Sequence, residues 1–180
     1  AEDAVYVHAP VPVFTECRIE RPEICQALNI SARSLDPSLE IGIVNAGLQT
    51  LCLPLQGLED VVGTAPDFQP LEAFCRRRRL DVITIFTRQV ADRENRLRTR
   101  VFAAPFGYLE DPATGSGNAA LGYHLHRCGH WDGSPIRIEQ NALVANPNIV
   151  RLASLPDPVH GIRVTFGGGA ILRIDGRYWL

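Results

Sequence analysis

The residue types with chemistry to offer gather between Leu109 and His130, in the run LEDPATGSGNAALGYHLHRCGH. Asp111 brings a carboxylate, Thr114 and Ser116 bring hydroxyls, and Gly115 and Gly117 bring bare backbone, with Asn118 just behind. Thr114 and Ser116 both suit the N-cap of a helix that Gly129 is placed to stop. A Gly-Ser-Gly entry lets successive free N–H groups turn toward one point, and the helix dipole adds partial positive charge there. That is an anion site, and a carboxylate a few residues upstream is placed to move a proton on a bound acid. The plainer alternative is that Asp111 opens an Asp-Pro turn and Ser116 caps the helix.

Three other chemistries fit the residues less well. A phosphate loop would need GxxxxGK[ST] or a completed GxGxxG, and neither is present. His124, His126, Cys128 and His130 look like metal ligands until they are placed on a helix, where 124 and 128 share one face and 126 and 130 another. No metal is expected from them. A Ser-His-Asp hydrolase would place its serine in GxSxG after a strand, and Gly115-Ser116-Gly117-Asn118 lacks that elbow.

The elements that must hold this segment are read from periodicity. Leu121, Leu125 and Cys128 lie at i, i+4, i+7 on a helix whose start is rich in small residues, which suits close packing on several sides. Before it come a strand at 4–8, with Pro10 and Pro12 confining the next residues to an edge, and a short amphipathic helix at 21–29. Two strands lie around a turn at Asn45-Ala46-Gly47, then a helical turn at 58–62 and a helix at 67–79. Strands at 81–88 and 95–103 can pair as a hairpin. After the central helix, strands are expected at 136–140, 148–154, 161–166 and 170–180, with Asp-Gly and Gly-Gly turns between them. This order is no regular βαβ repeat, so the fold class is α+β: a mixed sheet curled around the central helix, with peripheral helices.

Composition bounds the rest. With 180 residues, 46% hydrophobic and 21% charged, 13 prolines and 15 glycines, the chain is globular and turn-rich. A net charge of −2 holds no polyanion, so nucleic acid is not an expected partner. The basic run Arg76–Arg79 reads as a solvated helix end. No apolar run is long enough to span a bilayer and the N-terminus has no signal-peptide pattern, so no membrane partner and a cytoplasmic location are expected. Cys17, Cys25, Cys52, Cys75 and Cys128 are odd in number and widely spaced, and read as thiols rather than a disulfide frame.

The segment GYLEDPATGSGNAALGYHL, residues 107–125, resembles the EDPATGS motif of the phenazine-biosynthesis PhzF-like proteins, in the diaminopimelate epimerase superfamily. The likeness extends to NAGLQTLCLPL at 45–55, TRVFAAPFG at 99–107, IEQN at 138–141 and GGGAILRIDGRYWL at 167–180. Family members have two similar halves facing each other across a cleft, and residues 1–180 look like one such domain, the second. The resemblance implies cofactor-independent isomerisation or epimerisation of a small carboxylate by proton transfer. Asp111 and Ser116 match the motif's catalytic aspartate and serine, and Thr114, Gly115, Gly117 and Asn118 would bind the substrate. The family's principal acid/base glutamate belongs to the first half, which has no counterpart here. The implied partners are therefore the small carboxylate and either a second copy of the chain or a first-half domain. After Gln140 the family usually has glycine, where this chain has Asn141. A carboxylate-binding domain without turnover, and a module that completes a cleft with another polypeptide, are the alternatives.

Overall fold

The computed structural model describes residues 4–171 and 173–177. Along the chain come β1 (Ala4–His8), β2 (Val13–Thr15), α1 (Arg21–Leu28), β3 (Gly42–Asn45), β4 (Gln49–Pro54), α2 (Leu58–Gly63) and α3 (Phe68–Arg78). Then come β5 (Val82–Thr87), β6 (Leu97–Phe102), β7 (Glu110–Asp111), α4 (Gly115–Arg127), β8 (Ile136–Gln140), β9 (Asn148–Asp157) and β10 (Gly161–Gly169). They build one mixed sheet in the order β1-β10-β9-β8-β6-β5-β4-β3-β2, with β7 added on β6. The β4–β5 and β6–β8 pairs are parallel and the others antiparallel.

The curl of the sheet has a covalent cause. β1 and β2 lie at opposite ends of the strand order, yet only Ala9–Pro12 separates them in sequence. Four residues reach at most about 14 Å, so the two edges must approach each other. The buried Ala9 donates its N–H to Val164 O at 2.9 Å and fixes that approach. Inside the curl lies α4, touching β3, β4, β5, β9 and β10, with Gly117 through Leu125 buried. A helix covered on every side needs small residues where strands come nearest, and Ala119, Ala120 and Gly122 supply them.

Strand alternation sorts the apolar residues into two cores. Leu51, Leu53, Ile83 and Ile85 point outward into a cluster with Ile24, Leu28, Leu71 and Phe74 of α1 and α3. Cys52 and Phe86 point inward to Ala119, Leu121, Tyr123 and Leu125 of α4. β4 and β5 are therefore covered on both faces, which explains why their sequences lack polar alternation. The basic run at the end of α3 belongs to this outer layer: Arg77 and Arg78 both bond Glu23 of α1, and Arg76 pairs with Glu72. The two guanidiniums, Arg78 first, hold the Glu23 carboxyl down at about 2.

Several expectations need correction. Gly167–Gly169 do not turn; they finish β10, where pairing with β1 gives their backbone groups partners. The strand expected over 170–180 is absent among the described residues, and 172 and 178–180 lie outside them. β2 and β7 had no sequence signal of their own. Three and two residues carry no readable period, and pairing with β3 and β6 is what makes them strands.

Candidate functional site

The site begins with a register. In the parallel β6–β8 pair, Arg98 stands beside Glu139 and Thr99 beside Gln140. Because strand side chains alternate, the first pair faces one side of the sheet and the second faces α4. Arg98 and Glu139 are fully buried and bonded Nη1 to Oε2 at 3.1 Å. Glu139 also accepts N–H bonds from Ala91 and Asp92 at 3.0 and 2.8 Å, and one from Asn95 Nδ2 at 2.8 Å. Burial pushes this carboxyl up, but those four donors outweigh it and hold it below the ordinary range. Arg98 in turn donates to Asn141 O from Nε and Nη2, at 3.1 and 2.7 Å. Asn141 has φ 110, a left-handed conformation that glycine favours, which accounts for the glycine that the resemblance leads one to expect at this position.

On the other face Gln140 organises the helix start. Its Oε1 accepts from Thr114 N–H at 2.9 Å and from Asn118 Nδ2 at 2.7 Å. Its Nε2 donates to Asp111 O at 2.7 Å and to Thr114 Oγ1 at 3.1 Å. Asn118 Nδ2 donates again to Thr114 O at 2.7 Å, and Thr99 Oγ1 donates to Asn118 Oδ1 at 3.2 Å. Asn148 Nδ2 holds Pro112 O at 2.8 Å. One buried glutamine therefore ties the Asp111 strand, the N-cap residue and the first helical turn together.

Three of the residues singled out in sequence change role. Thr114 is the N-cap residue by position but makes no capping bond with its side chain. Its hydroxyl donates instead to Asp111 Oδ2 at 2.5 Å, because Gln140 already satisfies the neighbouring groups. Ser116 sits inside the first turn, half-buried, and is not the cap. Asn118 is fully buried and spent on Gln140, Thr114 and Thr99, so it shapes the site from below.

What this leaves open is backbone. The N–H groups of Gly115, Ser116 and Gly117 have no acceptor among the described residues, and the first helical bond is Asn118 N–H to Thr114 O at 3.4 Å. Gly115 has to be glycine: a Cβ there would lie 2.1 Å from the Phe166 ring. Asp111 lies beside this turn on β7, half-buried. The neighbouring Glu110 is structural, accepting from Arg100 Nε and Nη2 at 2.9 and 2.7 Å. The arrangement can hold an anion on three amides next to a carboxylate with a fixed orientation.

The three histidines at the end of α4 have ordinary partners. His124 is buried with Nε2 on Glu40 O at 2.8 Å, and burial lowers its pKa. His126 Nδ1 meets Trp131 O at 3.1 Å, and His130 Nε2 meets Glu40 Oε2 at 2.9 Å. Among the described residues no three His, Cys, Asp or Glu side chains converge as metal ligands would. None of the described helices is long and apolar enough to cross a membrane. Two cavities, of about 620 and 310 Å³, lie toward the C-terminal end of α4, and neither includes Asp111 or Ser116. The chemistry at the helix start, on an open surface, outweighs concavity as a guide to the site.

Sequence reasoning missed Gln140, Thr99 and Asn148 as members of this site. The available signal was Glu139-Gln140 as adjacent polar residues closing a strand after Ile136 and Ile138, where burial would demand partners for both.

Comparison with known proteins bears on the family and the fold. The family model described as phenazine biosynthesis-like protein, PhzC-PhzF, matches residues 1–176. The chain is 29% identical over 177 residues to a trans-2,3-dihydro-3-hydroxyanthranilate isomerase of Pseudomonas fluorescens, covering 94% of this chain and 59% of that protein. It is 24% identical over 156 residues to the uncharacterized isomerase YddE of Escherichia coli, covering 84% of this chain and 52% of the relative. A phenazine biosynthesis protein of the PhzF family from Bacillus anthracis shares the fold with TM-score 0.83 at 18% identity, over 93% of this chain and 58% of that one. The chain spans little more than half the length of the relatives it matches.

Proposed function

Since the chain belongs to the phenazine biosynthesis-like PhzC-PhzF family, we propose that it supplies the helix-start half of an isomerase site, acting on a small carboxylate by cofactor-independent proton transfer. The observation that carries this reading is the trio of unpartnered amides at Gly115, Ser116 and Gly117 beside a carboxylate that Thr114 holds in place. A substrate carboxylate on those amides would gain the helix dipole, and negative charge developing on it during proton removal would be stabilised further. A single donor of this kind is worth roughly 3–4 kcal/mol in a dry site. Asp111 is the proton carrier within this chain, and the Ser116 hydroxyl a further donor to the substrate. The isomerase named among the relatives makes a hydroxylated cyclic acid the substrate class to try first.

Residues 1–180 act as one domain in this reading, the second of two, and the helix start opens onto a cleft closed by a first-half domain or a second copy. Exposed apolar residues adjoin the site in sequence: Phe106 and Tyr108, stacked at 6.4 Å, precede β7, and Leu143 and Val144 follow β8. Apolar side chains left bare in this way suit a face covered by another lobe. The chain alone would then bind carboxylate but turn it over slowly, because general acid–base catalysis contributes about two to four orders of magnitude and its principal base is elsewhere.

The test is proton exchange. Deuterium incorporation into trans-2,3-dihydro-3-hydroxyanthranilate is followed first with the chain alone and then with a first-half polypeptide added. Little exchange alone, restored by the second polypeptide and removed by Asp111→Asn, is the expected result. Exchange that Asp111→Asn leaves unchanged would overturn the role of Asp111. Binding without exchange in any combination would favour a carboxylate-binding domain.

A further inference from the structure

The loop that carries Asn95 to Glu139 also walls the cavity of about 620 Å³ near the C-terminal end of α4. We infer that this cavity is a second small-molecule site, for an organic anion with a flat apolar body. α4 has 13 residues and is about 20 Å long, so the site is well separated from Asp111.

Three observations converge. The cavity has an apolar side made by Leu97, Leu125, Trp131 and Ile136, of which the first three are buried. Its volume falls within the range that small ligands occupy, roughly 300–1,000 Å³. Its rim carries Arg88, Arg93 and Arg96, none of which forms an ion pair among the described residues, although Arg76, Arg78, Arg98, Arg100, Arg137 and Arg163 all do. Against these three cations the lining carries one acid, Asp132, so positive charge is in excess.

Asn95, 4% exposed, stands in the wall of this cavity with its Nδ2 fixed on Glu139. The helix end does not oppose an anion strongly, because the His124, Leu125 and His126 carbonyls already accept from Cys128, His130 and Gly129 N–H groups. An aromatic acid matches the chemistry of the lining: a ring for the apolar wall and a charge for the arginines.

The experiment titrates the 180-residue chain with 4-hydroxybenzoate, phenol and inorganic phosphate while following the Trp131 indole and Gly129 amide resonances. Expected is saturable binding of 4-hydroxybenzoate, with phenol and phosphate each weaker by roughly tenfold, since each lacks one feature. The double variant Arg93→Ala/Arg96→Ala, at two exposed positions, should weaken it by at least about tenfold. Asp111→Asn should leave it unchanged, which separates this site from the helix start. Shifts confined to Gly115 and Gly117, equal binding of phenol or phosphate, or no effect of the double variant would each overturn the inference.

Discussion

At its C-terminal end α4 closes on itself. Gly129, at φ 76, lets its own N–H reach His126 O and the His130 N–H reach Leu125 O, so the last carbonyls are satisfied locally. At its N-terminal end the same helix leaves three amides without acceptors and spends Thr114, the residue placed to cap them, on Asp111 instead. A cap is typically worth about 1 kcal/mol, so the open end sacrifices stability that the closed end keeps. The contrast teaches that the open end is held from behind. Gln140, Asn118 and Thr99 fix the turn through the Thr114 N–H, its carbonyls and its side chains, and the N–H groups of Gly115, Ser116 and Gly117 are left without acceptors among the described residues.

The sharpest way to break this contrast is to remove the support. Glu139→Gln leaves Arg98 buried without its counter-charge and should cost about 3–5 kcal/mol in urea unfolding. Arg98→Met with Glu139→Leu removes both charges but strands the Ala91, Asp92 and Asn95 donors, so it should not recover that loss. A Glu139→Gln protein as stable as the wild type would mean that the buried pair does not hold β6 to β8. Next is Gln140→Ala, which strands Thr114 N–H and removes one of the two acceptors of Asn118 Nδ2; a loss of about 2–4 kcal/mol is expected, with weaker carboxylate binding at Gly115 and Gly117 in amide titrations. Stability lost without any change in binding would mean that the open amides do not depend on their backing.

The closed end should show itself in pH dependence. His124 has its pKa lowered by burial, so its neutral form is the one the fold accepts. Its contribution is present above the ordinary histidine value of about 6.5 and is lost as pH falls through the lower, folded value. Equilibrium unfolding from pH 8 to pH 5 should therefore slope more steeply for the wild type than for His124→Gln. The smallest effect lies away from both ends. Glu23 is held at about 2 by Arg78 and Arg77, so its stabilisation is full above about pH 4.5 and disappears as pH falls through 2. Solvent screening limits Glu23→Gln to at most about 1 kcal/mol at pH 7, and the two proteins should become equally stable near pH 2.

Much of the fold was legible because its signals are local. The hairpin at Asn45-Ala46-Gly47, the strands β5 and β6, the peripheral helices and the Gly129 stop each rest on a period or a turn residue within a few positions. The site was legible only as a segment. Asp111, Thr114, Gly115, Ser116, Gly117 and Asn118 stand out through residue type and spacing, and the family motif marks them. Their division of labour was not legible, since Thr114 and Asn118 act through Gln140, which lies 26 and 22 positions away.

The sequence by itself determined a small-residue helix entered through Gly-Ser-Gly, strands on either side of it and a carboxylate just upstream, because these depend on propensity and period along a short stretch of chain. Tertiary structure decided that four residues between β1 and β2 draw the sheet edges together around that helix. It also decided that a parallel register places Glu139 on Arg98 and Gln140 on the helix start. Register is set by which strands become neighbours, and a one-residue slip would exchange the two faces, sending Gln140 outward and Glu139 into the site.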